Sequence, residues 1–153
     1  MNTRIFVSLL LLVFMIAGCG GSGGQRKKPS DLPPLYPCTL TFTQEGVPVD
    51  DAHITLHSDS KWAVGGRTDE KGEVKPVTNG FYDGVPAGMY KITVAKMVIV
   101  ENEAGDTVKQ TEVVDKTFRK KETTPLEIEI VKGNNDQTFD VGKAVSINVP
   151  VEH

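Results

Sequence analysis

Gly84-Val85-Pro86-Ala87-Gly88-Met89-Tyr90-Lys91-Ile92-Thr93-Val94 decides the fold. Pro86-Ala87-Gly88 interrupts regular structure. Tyr90, Ile92 and Val94 then share one face against Met89, Lys91 and Thr93. A period of two is that of a half-buried strand. The same period recurs outward in both directions. Leu40 and Phe42 alternate with Thr39, Thr41 and Thr43, and Ala52, Ile54 and Leu56 alternate with His53, Thr55 and His57. Leu126, Ile128 and Ile130 alternate with Glu127 and Glu129, and Phe139 and Val141 follow a turn at Gly133-Asn134-Asn135-Asp136. Val145, Ile147 and Val149 suggest a last strand.

Turn chemistry separates these runs. Gln44-Glu45-Gly46, Thr68-Asp69-Glu70-Lys71-Gly72 and Asn79-Gly80 put acids, amides and glycines where tight turns need them. No window carries a capped helical period, and no internal repeat is present. Short alternating strands between turns predict an all-β fold, an antiparallel β-sandwich of about seven strands. Residues 97–114 hold two apolar patches around an acidic centre, Glu101–Asp106, and are expected to form a projecting hairpin.

The amino terminus predicts an address. Arg4 precedes an apolar run from Ile5 to Ile16 broken only by Ser8, and small residues lead into Cys19. This run is shorter than the ~20 apolar residues of a spanning helix, so it reads as an export signal. Ile16-Ala17-Gly18-Cys19 resembles a bacterial lipobox. The resemblance implies cleavage of residues 1–18 and acylation of Cys19, with membrane lipid as the partner. Residues 19–36 then form a Gly/Ser- and Pro-rich tether whose last ~17 residues reach on the order of 55 Å when extended. Residues 37–153 form the single domain. Gly20, where Asp would mark the inner membrane, favours outer-membrane attachment on the periplasmic or surface side. Arg26-Lys27-Lys28 reads as solubilising charge or as a contact to anionic head groups.

The chain has 17 basic against 20 acidic side chains, and cleavage would also remove Arg4. A net-acidic domain is a poor partner for nucleic acid, whose binding rests on neutralising phosphates. Cys38, without a partner once Cys19 is acylated, reads as a small buried hydrophobe. Gly20-Gly21-Ser22-Gly23-Gly24 matches a hydrolase pattern but lies in the tether, away from any strand and helix. His53 and His57, four apart on a strand, are ~13 Å from each other and cannot share one metal ion. They read as two solvent-facing histidines. Neither a cofactor nor a metal nor a catalytic residue is expected. Trp62 and Tyr82, with Tyr36 and Phe81, fall in or near loops. Exposed, Trp62 and Tyr82 would form a platform for a sugar ring or a protein partner; buried, they would close the ends of the core.

Several segments together carry a family resemblance. They are Pro37-Cys38-Thr39-Leu40-Thr41, Gln44-Glu45-Gly46-Val47-Pro48-Val49, Gly66-Arg67-Thr68-Asp69-Glu70-Lys71-Gly72, and the Pro86-Ala87-Gly88-Met89-Tyr90 strand entry running to Val94. The chain resembles the carboxypeptidase regulatory-like domain, also described as transthyretin-like or Cna-B-like. With its lipobox and tether it is similar to small planctomycete-type lipoproteins. The resemblance implies an exported β-sandwich without catalysis, acting in structure, adhesion or protein interaction at the envelope. The alternative is a carbohydrate-binding module facing envelope polysaccharide. Two family chemistries lack their residues. Hydrolysis of 5-hydroxyisourate uses a C-terminal Tyr-Arg-Gly-Ser, whereas this chain ends Val149-Pro150-Val151-Glu152-His153. An isopeptide crosslink needs a lysine on the first strand, and Cys38–Thr43 has none.

Overall fold

A computed structural model describes residues 28–151; the signal, Cys19 and most of the tether lie outside them. The strand segments in chain order are β1 (Leu35–Tyr36), β2 (Cys38–Gln44), β3 (Val47–Pro48), β4 (His53–His57) and β5 (Val64–Arg67). Then come β6 (Glu73–Val74), β7 (Val77–Thr78), β8 (Tyr82–Asp83), β9 (Val85–Pro86) and β10 (Gly88–Ala95). The last are β11 (Met97–Glu101), β12 (Thr107–Glu112), β13 (Glu127–Ile130), β14 (Asn135–Asp140) and β15 (Ile147–Val149), with a 3-10 turn at Lys116–Arg119. The protein is an all-β sandwich.

One sheet has the order β13-β10-β4-β5-β7-β8 and is antiparallel throughout. The other is centred on β2, with β14 on one side and β3 and β6 on the other. Alternation puts Leu40 and Phe42 of β2, Ile54 and Leu56 of β4, Tyr90, Ile92 and Val94 of β10, and Ile128 and Ile130 of β13 into one buried cluster. Phe42 stacks on Phe139 of β14, with ring centres 5.5 Å apart. Cys38 is buried at the start of β2, as its sequence suggests.

One pairing departs from the antiparallel expectation. β14 runs parallel to β2, from Asn135 opposite Cys38 to Asp140 opposite Thr43. Asn135 explains the register. Its amide Nδ2 donates to the carbonyls of Pro37, Val131 and Gly133, and its Oδ1 accepts from the Val131 N–H at 2.9 Å. Read from sequence as a turn residue, it is a buried clamp that aligns the starts of two strands.

The Thr68–Gly72 turn is built as its residues dictate. Asp69 Oδ1 accepts from the N–H groups of Lys71 and Glu73, both at 2.9 Å. The Thr68 hydroxyl donates to the Val49 carbonyl at 2.7 Å and accepts from the Ala52 N–H at 2.8 Å, fastening the neighbouring turn. Gly72 has φ +74°, and a Cβ there would collide with the Phe42 carbonyl oxygen. Asn79-Gly80 also has positive φ at both residues, with Phe81 N–H bonded to the Thr78 carbonyl, the geometry of a type I′ turn. The Tyr90 hydroxyl donates to the Pro86 carbonyl at 2.9 Å, closing the corner before β10.

The compact unit begins at Pro33. β1, in the stretch assigned from sequence to the tether, pairs with β9 as Leu35 opposite Pro86 and Tyr36 opposite Val85. The 97–114 hairpin is present as β11 and β12, and β15 adds to the β12 side.

Two substitutions in one turn test this architecture. Gly72→Val combines positive φ with a backbone clash and should cost roughly 3 kcal/mol or more. Lys71→Ala, one residue earlier and exposed, should stay within ~0.5 kcal/mol. Urea midpoints of the two variants should differ accordingly; equal midpoints would contradict the close approach of Gly72 to β2.

Candidate functional site

A concave surface lies at the start of the domain, beside β1. A groove of about 520 Å³ runs between the β1 entry, the β4–β5 loop and the start of β10. Pro33, Pro34 and Tyr36 form one wall, Trp62 and Met89 contribute apolar surface, and Ser58, Asp59 and Ser60 form a polar rim. Each wall is fixed by fold elements already described. The β1–β9 pairing places Tyr36, and the Tyr90–Pro86 hydrogen bond sets the backbone that carries Met89.

The β4–β5 loop is held by its serines. Ser58 Oγ and Ser60 Oγ are 2.9 Å apart, and Ser60 Oγ accepts from the Trp62 N–H at 3.3 Å. Trp62 is half-buried. The Lys61 ammonium sits 4.9 Å from the centre of its ring, a cation–π contact on one face.

A smaller depression of about 290 Å³ adjoins the groove through Ser58, Asp59, Met89 and Tyr90. His57, Lys91, Lys121 and Glu127 complete it. Lys91 pairs with Glu127 at 3.4 Å and Lys121 with Asp59 at 3.7 Å. His57 Nε2 shares a 2.8 Å hydrogen bond with the Thr93 hydroxyl. This corrects the reading of His57 as solvent-facing: its ring is half-buried against Thr93, which is itself buried. His53 is exposed as expected. Burial first, and the Lys121 charge second, lower the His57 pKa, with Glu122 opposing. Burial likewise raises the Tyr90 phenol, which stays neutral and hydrogen-bonded.

The rim serines hydrogen-bond to each other, and the His57 imidazole meets a hydroxyl at Thr93, which is buried. Among the described residues no cluster of His, Cys, Asp or Glu could hold a metal ion. Burial, and then Asp136, push the Cys38 thiol up to about 11, so it is held as the unreactive thiol. What the groove offers is an aromatic and aliphatic wall beside hydroxyl and carboxylate acceptors, a combination suited to reversible binding.

The aromatic residues singled out in the sequence separate. Trp62 lines the groove, whereas Tyr82 lies on β8, at the far edge of the six-stranded sheet, and is not part of the groove wall. Trp62 has Tyr36 as its aromatic companion instead. The sequence puts Tyr36 at the end of the tether, where periodicity carries no signal; its pairing with Val85 is a long-range contact.

No family model matches the chain, and no curated protein does. Among solved structures, a 9R-lipoxygenase from Cyanothece PCC8801 is similar over 76% of this chain at 15% identity, with a TM-score of 0.33. The match spans 18% of that protein's length, and a likeness so low carries no argument.

The lowered pKa of His57 has a direct consequence. The unfolded chain takes up the proton near pH 6.5 and the folded protein only at lower pH, so this contribution to stability is present above 6.5 and is lost as pH falls. The urea midpoint should drop between pH 7.5 and 5.0, and by less in His57→Asn than in the wild type. An undiminished drop in His57→Asn would remove the histidine from this role.

Proposed function

We propose that the protein is a lipid-anchored, carboxypeptidase regulatory-like (transthyretin-like) module of the cell envelope with a structural or protein-interaction role, attached through acylated Cys19. What supports the reading is the sequence pattern at Cys19 and the Gly/Ser-rich residues after it, together with the start of the domain at Pro33. From Pro33 the chain belongs to the domain, where the β1–β9 pairing holds it and Pro33 and Pro34 line the groove. Domain entry at Pro33 leaves about 14 residues of tether, on the order of 45 Å extended. The groove beside that entry supplies a binding surface without a reactive group.

A second reading, carbohydrate binding, is favoured by one observation. Trp62 and Tyr36 share a groove with Ser58, Ser60 and Asp59, which pairs ring faces with hydrogen-bonding groups as sugars require. Binding of this kind is expected in the millimolar to tens-of-micromolar range (about −4 to −7 kcal/mol), and gains from many copies on one surface.

Each reading has its own test. Each buried acyl methylene contributes ~0.8 kcal/mol, so several chains anchor the protein essentially permanently. Cys19→Ala should lose lipid labelling and leave the membrane fraction after a high-salt wash; retention would overturn the anchor. The lone Trp62 reports on the groove. Its emission should shift to the blue, with protection from iodide quenching, when envelope polysaccharide is added. An unchanged spectrum at saturating polysaccharide would leave only the protein-interaction reading.

A further inference from the structure

The β11-β12-β15 sheet ends on β11, whose outer side carries no strand among the described residues. All five residues of β11 are exposed, and Met97, Val98, Ile99 and Val100 keep 41–52% of their surface in solvent. Open edges are ordinarily guarded by lysine, proline or an internal bulge. Here the bulge falls at Val100/Glu101, so Met97–Val100 stays regular and unguarded.

The hydrogen bonds fix which main-chain groups are free. The Val113 N–H donates to the Lys96 carbonyl, and the Asn102 N–H donates to the Asp106 carbonyl. Lys96 and Asn102 thus turn toward the β12 strand, and by alternation so do Val98 and Val100. Met97, Ile99 and Glu101 turn their N–H and C=O groups outward.

We propose that β11 pairs antiparallel with β11 of a second copy of this chain, about a two-fold axis perpendicular to the sheet at Ile99. Such an axis keeps every side chain on its own face, so only residues an even number of positions apart can oppose each other. Centred on Ile99, the pairing sets Ile99 against Ile99 and Met97 against Glu101. All three outward-facing residues of each copy then exchange main-chain bonds, and Val98 meets Val100 between them. Centring on Val98 would bring Glu101 opposite Ala95, which already belongs to β10. Centring on Val100 would run Met97 past the partner's turn.

Charge selects the same arrangement. Glu101, Glu103 and Asp106 make the hairpin tip acidic. Antiparallel pairing carries the two tips to opposite ends, whereas parallel pairing would set them side by side, at the cost of like-charge repulsion. The edge is therefore its own complement: apolar on apolar from Val98 to Val100, free groups on free groups, acids apart. One five-residue edge covers far less than the ~1,200 Å² of a stable interface, so pairing between free copies is weak. Confinement on one membrane, which rests on the anchor reading above, raises the local concentration toward millimolar.

Cysteine crosslinking of the full chain in its own membranes tests the register. Cys38 is buried, so a thiol at position 99 is the accessible one among the described residues. A short bis-maleimide should link Ile99→Cys to its own copy, across a Cα separation of about 5.5 Å. Met97→Cys alone and Glu101→Cys alone should link at least about tenfold less, because each lies four residues, ~13 Å, along the strand from its own copy. Co-expressed, Met97→Cys and Glu101→Cys should link to each other. The proposal is overturned if Ile99→Cys stays monomeric while fractionating with membranes, or if Met97→Cys links to itself equally well. If the protein fractionates as soluble, the anchor reading has failed. The same variants purified at ~1 mM then decide the pairing: the same pattern supports it, and no linkage overturns it.

Discussion

The main chain of Phe42 is the point on which the sandwich depends. Phe42 is fully buried at the centre of β2, so its N–H and C=O must both be paired inside the protein. No single neighbouring strand does this. Its N–H donates to the Gly72 carbonyl at 2.8 Å, and its carbonyl accepts from the Val49 N–H at 3.0 Å. β6 serves β2 before this residue and β3 serves it after, and the two exchange places at Phe42. The exchange requires the Thr68–Gly72 turn and the Val49–Ala52 turn to approach β2 together. Gly72 permits the approach because it has no Cβ, and Thr68 ties the two turns with one hydroxyl. The residues that look like surface turn chemistry thus complete the hydrogen bonding of the core.

The opposite side of β2 faces an equivalent problem, solved by a different device. β14 must run parallel to β2, and a parallel partner cannot arrive by a tight hairpin. Asn135 substitutes for turn geometry by bonding to Pro37, Val131 and Gly133 at once. Once both sides of β2 are satisfied, Leu40 and Phe42 can press against Ile54, Ile92 and Phe139 without leaving an open polar edge. The groove inherits this rigidity, because β1 leads into β2 through Pro37, the residue whose carbonyl Asn135 holds.

Periodicity made the core legible from sequence. Tyr90, Ile92, Val94, Ile54, Leu56, Ile128 and Ile130 are all buried on the face that alternation assigns them. Local turn chemistry was equally readable at Gly72 and Asn79-Gly80, since positive φ is a property of a residue and its neighbours. What stayed hidden depends on contacts between distant segments. The parallel pairing of Asn135 with Cys38, the capture of Leu35–Tyr36 by Val85–Pro86, and the burial of His57 against Thr93 leave no local pattern. The candidate site was half visible for the same reason. Trp62 stands out as the lone tryptophan, but its companion is Tyr36, and Tyr82 belongs to a strand at the sheet edge.

The hairpin obeys a different economy from the sandwich that carries it. β10 ends at Ala95 and the chain is buried again at Val114, so the core is continuous on either side of the insertion. Between them, β11 buries no side chain, β12 buries only Thr111 and β15 buries none. A small sheet with so little apolar burial rests mainly on its main-chain bonds, and an isolated two-stranded ribbon of this kind is marginal in water. The third strand, β15, satisfies the outer side of β12 and leaves β11 as the longer of the sheet's two edges, five residues against three. An added strand there would extend the sheet with the main-chain bonds on which it already relies. It would also cover Val98, Ile99 and Val100, whose exposure gives nothing to the core.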